Sequence, residues 1–272
     1  YVSGSFTHAN GKPMENSLAI DATIGEGRPW IPLNTNASLL LDDSLLYVHE
    51  HDADFVYHIY AYNRFTEQLV KTYDLPPGYI TQLIPHGWVA YGNTLLMGIT
   101  EGANESIYVL DTKSGIWTVS PLLFDGAVTH LRLANRIIYI GGDFTSVNGE
   151  PRNQFAAFDA QSFALSPWNP HIDRITSIDC MEFNDDYSVL FVGGEFDNNP
   201  TRPRFKNFAA FDTSTGEYVP FFDAEFSPQY WRSKPTIFAR GDSLLFMYIT
   251  PPSGVTYRSE ERRVGKECRS RW

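Results

Sequence analysis

Apolar and polar positions along this chain come in short runs that never extend to a helical period, and Gly and Pro recur too often for long helices. A short apolar run such as Val128-Thr-His-Leu-Arg-Leu133 is followed by a polar turn. Asp42-Asp43-Ser44, Gly92-Asn93, Ala134-Asn135, Asn184-Asp185-Asp186 and Gly241-Asp242-Ser243 all stand at that point. A second run follows, more apolar and rich in β-branched and aromatic residues, as a buried strand requires. Next come a variable connection and a third run closing on Asp or Asn. A Ser-Gly or Thr-Gly turn (Ser114-Gly115, Thr215-Gly216) then leads to a fourth run carrying Trp or Phe. The closing polar residue falls at Asp21, Asn63, Asp111, Asp159 and Asp212, in steps of 42, 48, 48 and 53 residues.

The order is carried by a repeated phrase. It reads Tyr139-Ile-Gly-Gly-Asp-Phe-Thr-Ser-Val-Asn-Gly-Glu-Pro-Arg-Asn-Gln-Phe-Ala-Ala-Phe-Asp159, then Pro167-Trp168-Asn169-Pro170. A second copy has Phe191-Val-Gly-Gly-Glu-Phe196, Asn207-Phe-Ala-Ala-Phe-Asp212 and Pro220-Phe221. A third opens the chain with Tyr1-Val-Ser-Gly-Ser-Phe-Thr7, Asn10-Gly11-Lys12-Pro13, Leu18-Ala-Ile-Asp21 and Pro29-Trp30. Weaker copies lie at 45–63 and 95–117, and a sixth begins at Asp242. Four short strands in about 40–50 residues is the size of one propeller blade. The pattern therefore predicts an all-β chain: a β-propeller of about five four-stranded blades plus the start of a sixth. Stacking such sheets covers both faces of each and protects their edges. Crowding or unusual dihedrals are expected at Gly141-Gly142 and Gly193-Gly194. Positive φ is expected at Asn10-Gly11 and Asn148-Gly149, and Trp30, Trp117 and Trp168 are expected to pack between neighbouring blades.

The phrase Gly-Gly-Asp-Phe-Thr-Ser-Val-Asn-Gly-Glu-Pro-Arg-Asn, with Ala-Ala-Phe-Asp and Trp-Asn-Pro, resembles the delta-60 type repeats of secreted and surface bacterial proteins. The match is close over 139–170, good over 1–32 and 191–222, and faint over 45–120, where Gly-Gly-x-Phe and Asn-Gly-x-Pro are lost. The resemblance implies a propeller, secreted or at the cell surface, serving as a non-enzymatic module of a larger multidomain chain. A more distant similarity is to the propeller region of fungal cortical polarity markers.

The last 15 residues, 258–272, break the pattern. Arg258-Ser-Glu-Glu-Arg-Arg-Val-Gly-Lys-Glu-Cys-Arg-Ser-Arg-Trp272 is similar to the in-frame translation of a common short-read sequencing adapter, so the native sequence is expected to stop near Tyr257. The chain also opens inside a repeat, with no leader-like segment, and is expected to be a fragment truncated at both ends. Without the tail, Lys plus Arg falls from 21 to 15 and Asp plus Glu from 32 to 29, so the net charge moves from −11 to −14. A surface this acidic disfavours nucleic acid, which needs basic clusters. No run reaches the about 18 apolar residues of a membrane span, so no membrane insertion is expected. Cys180 is then the sole cysteine and is expected as a small buried hydrophobe.

Candidate chemistry is sparse. His49-Glu50-His51-Asp52, with Asp54 and His58, is the best metal-like cluster, because alternation puts His49 and His51 on one strand face. The spacing supplies no third ligand, and a solvated loop is the expected reading. Asn184-Asp185-Asp186 and Glu195-Phe-Asp-Asn-Asn199 offer oxygens suited to calcium, but at spacings ordinary for turns. Isolated His130 and His171 read as structural, and no nucleophile elbow, phosphate loop or Cys-x-x-Cys is present. Asn36-Ala-Ser38 and Asn104-Glu-Ser106 match the glycosylation sequon, which matters only in a eukaryotic secretory source. No catalytic residue, metal or cofactor is expected. The expected function is a non-catalytic scaffold or interaction module, binding a protein or glycan partner through the connections between second and third strands. These are Glu50–Val56, Glu101–Glu105, Thr145–Asn153 and Asp197–Asn207. The alternative is a carbohydrate-active or other hydrolase on the same scaffold, which would bring single-use carboxylates together within about 5–10 Å.

Overall fold

The computed structural model describes residues 2–3, 6–9, 12–14, 16–20, 26–30, 33, 37–54, 56–75, 87–101, 104–172, 175–196, 208–220, 236–240, 243–249 and 257–263. Every regular element among them is a β-strand, arranged in small antiparallel sheets. The chain forms two compact units: Tyr1–Pro85 with Gly92–Thr94 and Leu110–Trp117, and His86–Tyr91 with Leu95–Val109 and Thr118–Trp272.

The strands follow the repeat. β1 (Val2–Ser3) leads to a small hairpin, β2 (His8–Ala9) and β3 (Lys12–Pro13), before β4 (Ser17–Ile20) and β5 (Gly27–Pro29); the first sheet has the order β1-β4-β5. The second sheet is β6 (Ser38–Leu41), β7 (Leu45–His51), β8 (Tyr57–Asn63) and β9 (Leu69–Asp74) in simple order. The third is likewise β10 (Trp88–Tyr91), β11 (Thr94–Glu101), β12 (Asn104–Asp111) and β13 (Trp117–Val119). In the fourth, β14 (Val128–Ala134) and β15 (Ile137–Gly142) precede a hairpin, β16 (Ser146–Val147) and β17 (Glu150–Pro151), and then β18 (Phe155–Asp159). The fifth is β19 (Ile175–Phe183), β20 (Val189–Phe196) and β21 (Phe208–Asp212). The sixth is β22 (Thr236–Arg240), β23 (Ser243–Ile249) and β24 (Tyr257–Arg263). Residues 258–263 of the aberrant tail thus pair with β23, taking the place that β18 and β21 take in their sheets. Residues 264–272 lie outside the described set, as do Asp21, Asn10-Gly11, Asn36, Phe221 and Asp242.

The marker residue closes each repeat by hydrogen bonding. Oδ1 of Asn63, Asp111, Asp159 and Asp212 each accepts the two backbone N–H groups at the second and third positions beyond it, at 2.7–3.0 Å. Each marker carbonyl also accepts the N–H four residues on, from Glu67, Gly115, Phe163 and Gly216. All four of those donors sit at positive φ, between 58° and 78°. Glycine adopts that conformation freely, whereas an L side chain costs about 1–2 kcal/mol there. Glu67→Gly is accordingly expected to stabilise the protein by about 1 kcal/mol. The Glu67 ion pair with Arg28 is at the surface and offsets little of that. An unchanged or lowered denaturant midpoint would show that the turn is not strained.

Among the described residues, four strands per repeat hold fully only in the second and third sheets. In the fourth and fifth, the outer strand shrinks to one bridge each, Phe158↔Leu165 and Phe211↔Tyr218. Pro167 and Pro220 follow within two residues, and proline has no N–H to extend a ladder.

The glycine pairs are explained by crowding, since neither Gly141 nor Gly142 has positive φ. The pairing of β14 with β15 slips at Thr129, between Val128↔Gly142 and His130↔Gly141. A Cβ on Gly142 would lie 1.9 Å from the Ala127 carbonyl oxygen. The fifth sheet repeats the slip at Asp179, and a Cβ on Gly194 would lie 2.1 Å from the Ser177 carbonyl oxygen. The Asn148-Gly149 turn has φ of 53° and 77°, as a two-residue hairpin requires.

The cores lie between successive sheets within each unit. In the second unit Trp168 and Tyr139 meet Met181, Phe183 and Phe211 of the next sheet, with ring centroids 4.9 Å apart for Tyr139–Trp168. Trp168 Nε1 donates to the Asp212 carbonyl (3.0 Å) and the Tyr139 hydroxyl to that of Thr213 (2.8 Å). In the first unit Trp30 packs with Ala19, Leu46 and Val48. Trp117 is not equivalent to these two: it stands six residues beyond its marker, where Trp30 and Trp168 stand nine beyond theirs. Its phase matches Leu69, Leu165 and Tyr218, and its Nε1 donates back to the Asp74 carbonyl (2.7 Å). In the second unit the first strands lie side by side, β10, β14, β19 and β22 in succession; in the first unit β1, a second strand by its place in the repeat, lies beside β6.

Candidate functional site

The second sheet departs from the repeat at the end of its second strand. Aligned on the markers, His49-Glu50 occupy the places of Gly141-Gly142. β6 pairs with β7 in register from Ser38↔His49 through Leu41↔Leu46, and the ladder ends there, before Glu50.

His49 is buried, 3% exposed, and its ring stacks on Tyr57 at 5.1 Å. Burial alone pushes its pKa from 6.5 down to about 3, so it is neutral at physiological pH. His51 shares that face, as alternation predicts, and meets the same Tyr57 edge-on at 5.3 Å. Its Nδ1 lies 2.9 Å from the Asp52 carbonyl. His58, on the next strand, turns elsewhere. Its Nε2 lies 3.2 Å from Asp52 Oδ2 and its Nδ1 3.1 Å from Asp74 Oδ1. Asp52 also folds the loop: its Oδ1 accepts the N–H groups of Asp54 and Val56 at 2.9 and 3.0 Å. The Val56 N–H, followed by those of His58 and Asp54, holds the Asp52 carboxyl below its ordinary range.

Of the six cluster residues, His49 and His51 flank the Tyr57 ring, and Asp52 and His58 join Asp74 in a clamp. Among the described residues no three His, Cys, Asp or Glu side chains converge as metal ligands. Asp74 had no place in the sequence cluster, because it lies 16 residues from His58 and meets it only through the β8–β9 register, His58↔Asp74. Asp52 and Asp74 are single-use carboxylates brought together, the arrangement a hydrolase would need. The His58 imidazole stands between them, within hydrogen-bond distance of both.

Tyr60 and Tyr62 extend the aromatic row along β8, through His58–Tyr60 at 5.7 Å and Trp30–Tyr62 at 5.8 Å. Burial and then the Glu50 carboxylate raise the pKa of both tyrosines, which places Glu50 close to them.

The other candidates are accounted for by structure. In the turn at 184–186, Asn184 Oδ1 accepts the Val189 N–H and Asp186 Oδ1 the Ser188 N–H, both at 2.9 Å. Cys180 is buried on β19. His130 is buried beside Thr129, and exposed His171 lies against Asn153. The Thr145–Asn153 connection is a built hairpin. Phe144 and Val147 are fully buried, and Asp125 accepts from Thr145 N, Thr145 Oγ1 and Ser146 N at 2.7–2.8 Å. Its tip, 148–151, is exposed, as is Thr145 at its start. The 197–207 connection, Asp197–Asn199 of the second calcium candidate, and residues 102–103 lie outside the described residues.

No family model matches the chain, and no curated protein does. Two solved structures share part of its backbone course. One is the computationally designed Ika4 protein, at 13% identity and a TM-score of 0.45 over 70% of this chain and 96% of that one. The other is TolB from Acinetobacter baumannii, at 12% identity and a TM-score of 0.47 over 80% of this chain and 52% of that one.

Proposed function

We propose that this chain is a β-propeller segment built of delta-60-like repeats and acts as a non-catalytic binding module of a secreted or surface protein. The observation that carries the proposal is a constant framework beside inconstant connections. Four successive repeats close on the same carboxylate or amide turn, and the fourth and fifth sheets share the same slip and glycine. The segments between second and third strands are less constant, although the first and fourth sheets both carry a two-stranded hairpin there. One is an Asp52-centred turn, another a two-stranded hairpin. Side-by-side first strands in the second unit support the propeller reading. A rigid scaffold presenting unlike loops is the architecture of recognition.

A glycan array probed with the protein and with two loop-replaced variants tests this. In one, 50–56 becomes a Gly-Ser segment of equal length; in the other, 148–151 does. Binding is expected to fall at least about tenfold in one variant with thermal stability retained. Binding that survives both replacements, or hydrolysis of an arrayed glycan, would overturn the proposal.

A further inference from the structure

We infer that His58 is a proton-dependent clasp that fixes the 50–56 connection to the rim of the second sheet. Both ring nitrogens lie within hydrogen-bond distance of a carboxylate oxygen, Asp52 Oδ2 at 3.2 Å and Asp74 Oδ1 at 3.1 Å. An ionised carboxylate only accepts, and a neutral imidazole carries one N–H. Asp52 is kept ionised by the loop N–H groups it receives, and the Asp74 side chain is 91% exposed to water. Both bonds are therefore made only by the doubly protonated ring.

Charged groups and rings face His58 from every element packed against it. Glu50 stands directly opposite on β7, Asp52 comes from the loop, Asp74 from β9, and the Tyr60 ring lies 5.7 Å away on the same strand. The two carboxylates belong to different parts of the sheet. Asp74 is fixed through its carbonyl, which accepts from Trp117 Nε1. Asp52 shapes the turn that closes with Asp52 N donating to the Val56 carbonyl at 2.9 Å. Loss of one proton removes one donor, so one of the two anchors is released and the connection between them loosens. Rising pH opens the clasp, and falling pH closes it. If the 50–56 connection is a contact surface, as proposed above, its presentation is governed by proton concentration. The clasp itself is independent of that proposal and can be tested without a partner.

The test is nuclear magnetic resonance of nitrogen-15-labelled protein between about pH 5 and pH 8, the range in which imidazoles change charge. Ring nitrogen signals report the protonation of His58, and hydrogen exchange reports the Asp54 and Val56 amides, corrected for base catalysis. Protection of both amides is expected to fall about tenfold or more as the ring loses its second proton, the effect of losing one charged hydrogen bond. In His58→Gln it is expected not to vary with pH. Asp74→Asn, which removes one negative charge without removing the acceptor, is expected to move the loss of protection to lower pH. Full protection around a singly protonated ring, or the same profile in the protein and both variants, would overturn the clasp. A partner that binds equally at both ends of the pH range while the amides respond would leave the clasp standing and remove its role in binding.

Discussion

Gly142→Ala is expected to destabilise the protein by about 3 kcal/mol, at the upper end of what an added methyl costs in a packed site. The new Cβ would stand 1.9 Å from the Ala127 carbonyl oxygen, 3.0 Å from its carbon and 3.1 Å from Val128 Cα. All three are backbone atoms, and they are held by the slip at Thr129, so none can rotate aside. Gly141→Ala is the internal control. Its nearest neighbours would be Met181 Sδ at 2.8 Å and Ile178 Cδ1 at 3.0 Å, both ends of side chains, so its cost is expected to be about 1 kcal/mol or less. Denaturant midpoints of the two variants decide the matter. Equal effects would mean that the slip does not dictate the glycine.

The second large effect belongs to His49. Its folded pKa of about 3 lies below the unfolded value of 6.5, so the unfolded chain takes up the proton first as pH falls. The neutral ring is at no disadvantage above pH 6.5. Stability is then lost progressively as pH falls from there toward 3, by up to about 1.4 kcal/mol per pH unit and a few kcal/mol in all. The carboxylates held low by turn hydrogen bonds, Asp111 and Asp212 among them, lose their contribution at lower pH, so the upper part of the interval reports mainly histidine. His49→Phe keeps a ring against Tyr57 and does not titrate. The difference in unfolding free energy between protein and variant is expected to grow as pH drops from about 6.5 to 5. A difference constant with pH would mean that His49 takes up its proton as readily in the fold as in the unfolded chain.

The strand order and the turn positions were legible in the sequence because each rests on local chemistry. β-branched runs make strands, and a closing Asp with a Gly four residues later makes the turn; Asp111 with Gly115 and Asp212 with Gly216 are the visible cases. Phe163 and Glu67 fill the same place with positive φ and leave no local mark. The need for glycine at Gly142 was legible, but not its cause, since Thr129 and Asp179 are ordinary strand residues and nothing in them announces a slip. Counting from the marker would have separated Trp117 from Trp30 and Trp168. The candidate site was legible only in part. Alternation gave the shared face of His49 and His51, but the partner of His58 comes from another strand, and only the register brings Asp74 to it.

The unequal outer strands set where one molecule can add to another. A full-length outer strand is a template on which a second chain can hydrogen-bond, whereas a single bridge followed by proline is not. The fourth and fifth sheets are therefore closed to strand addition by their own sequence. Among the described residues no strand pairs with the outer side of β9, which is six residues long with Leu69 and Val70 more than half exposed, although Trp117 covers its Asp74 end. Lys71 and the irregular pairing between Ala61 and Tyr62 stand against such addition, as charge and irregularity do on natural sheet edges. When the protein is concentrated or partly loosened, association by strand pairing starts at 69–74, and the charge at position 71 sets how readily it does so.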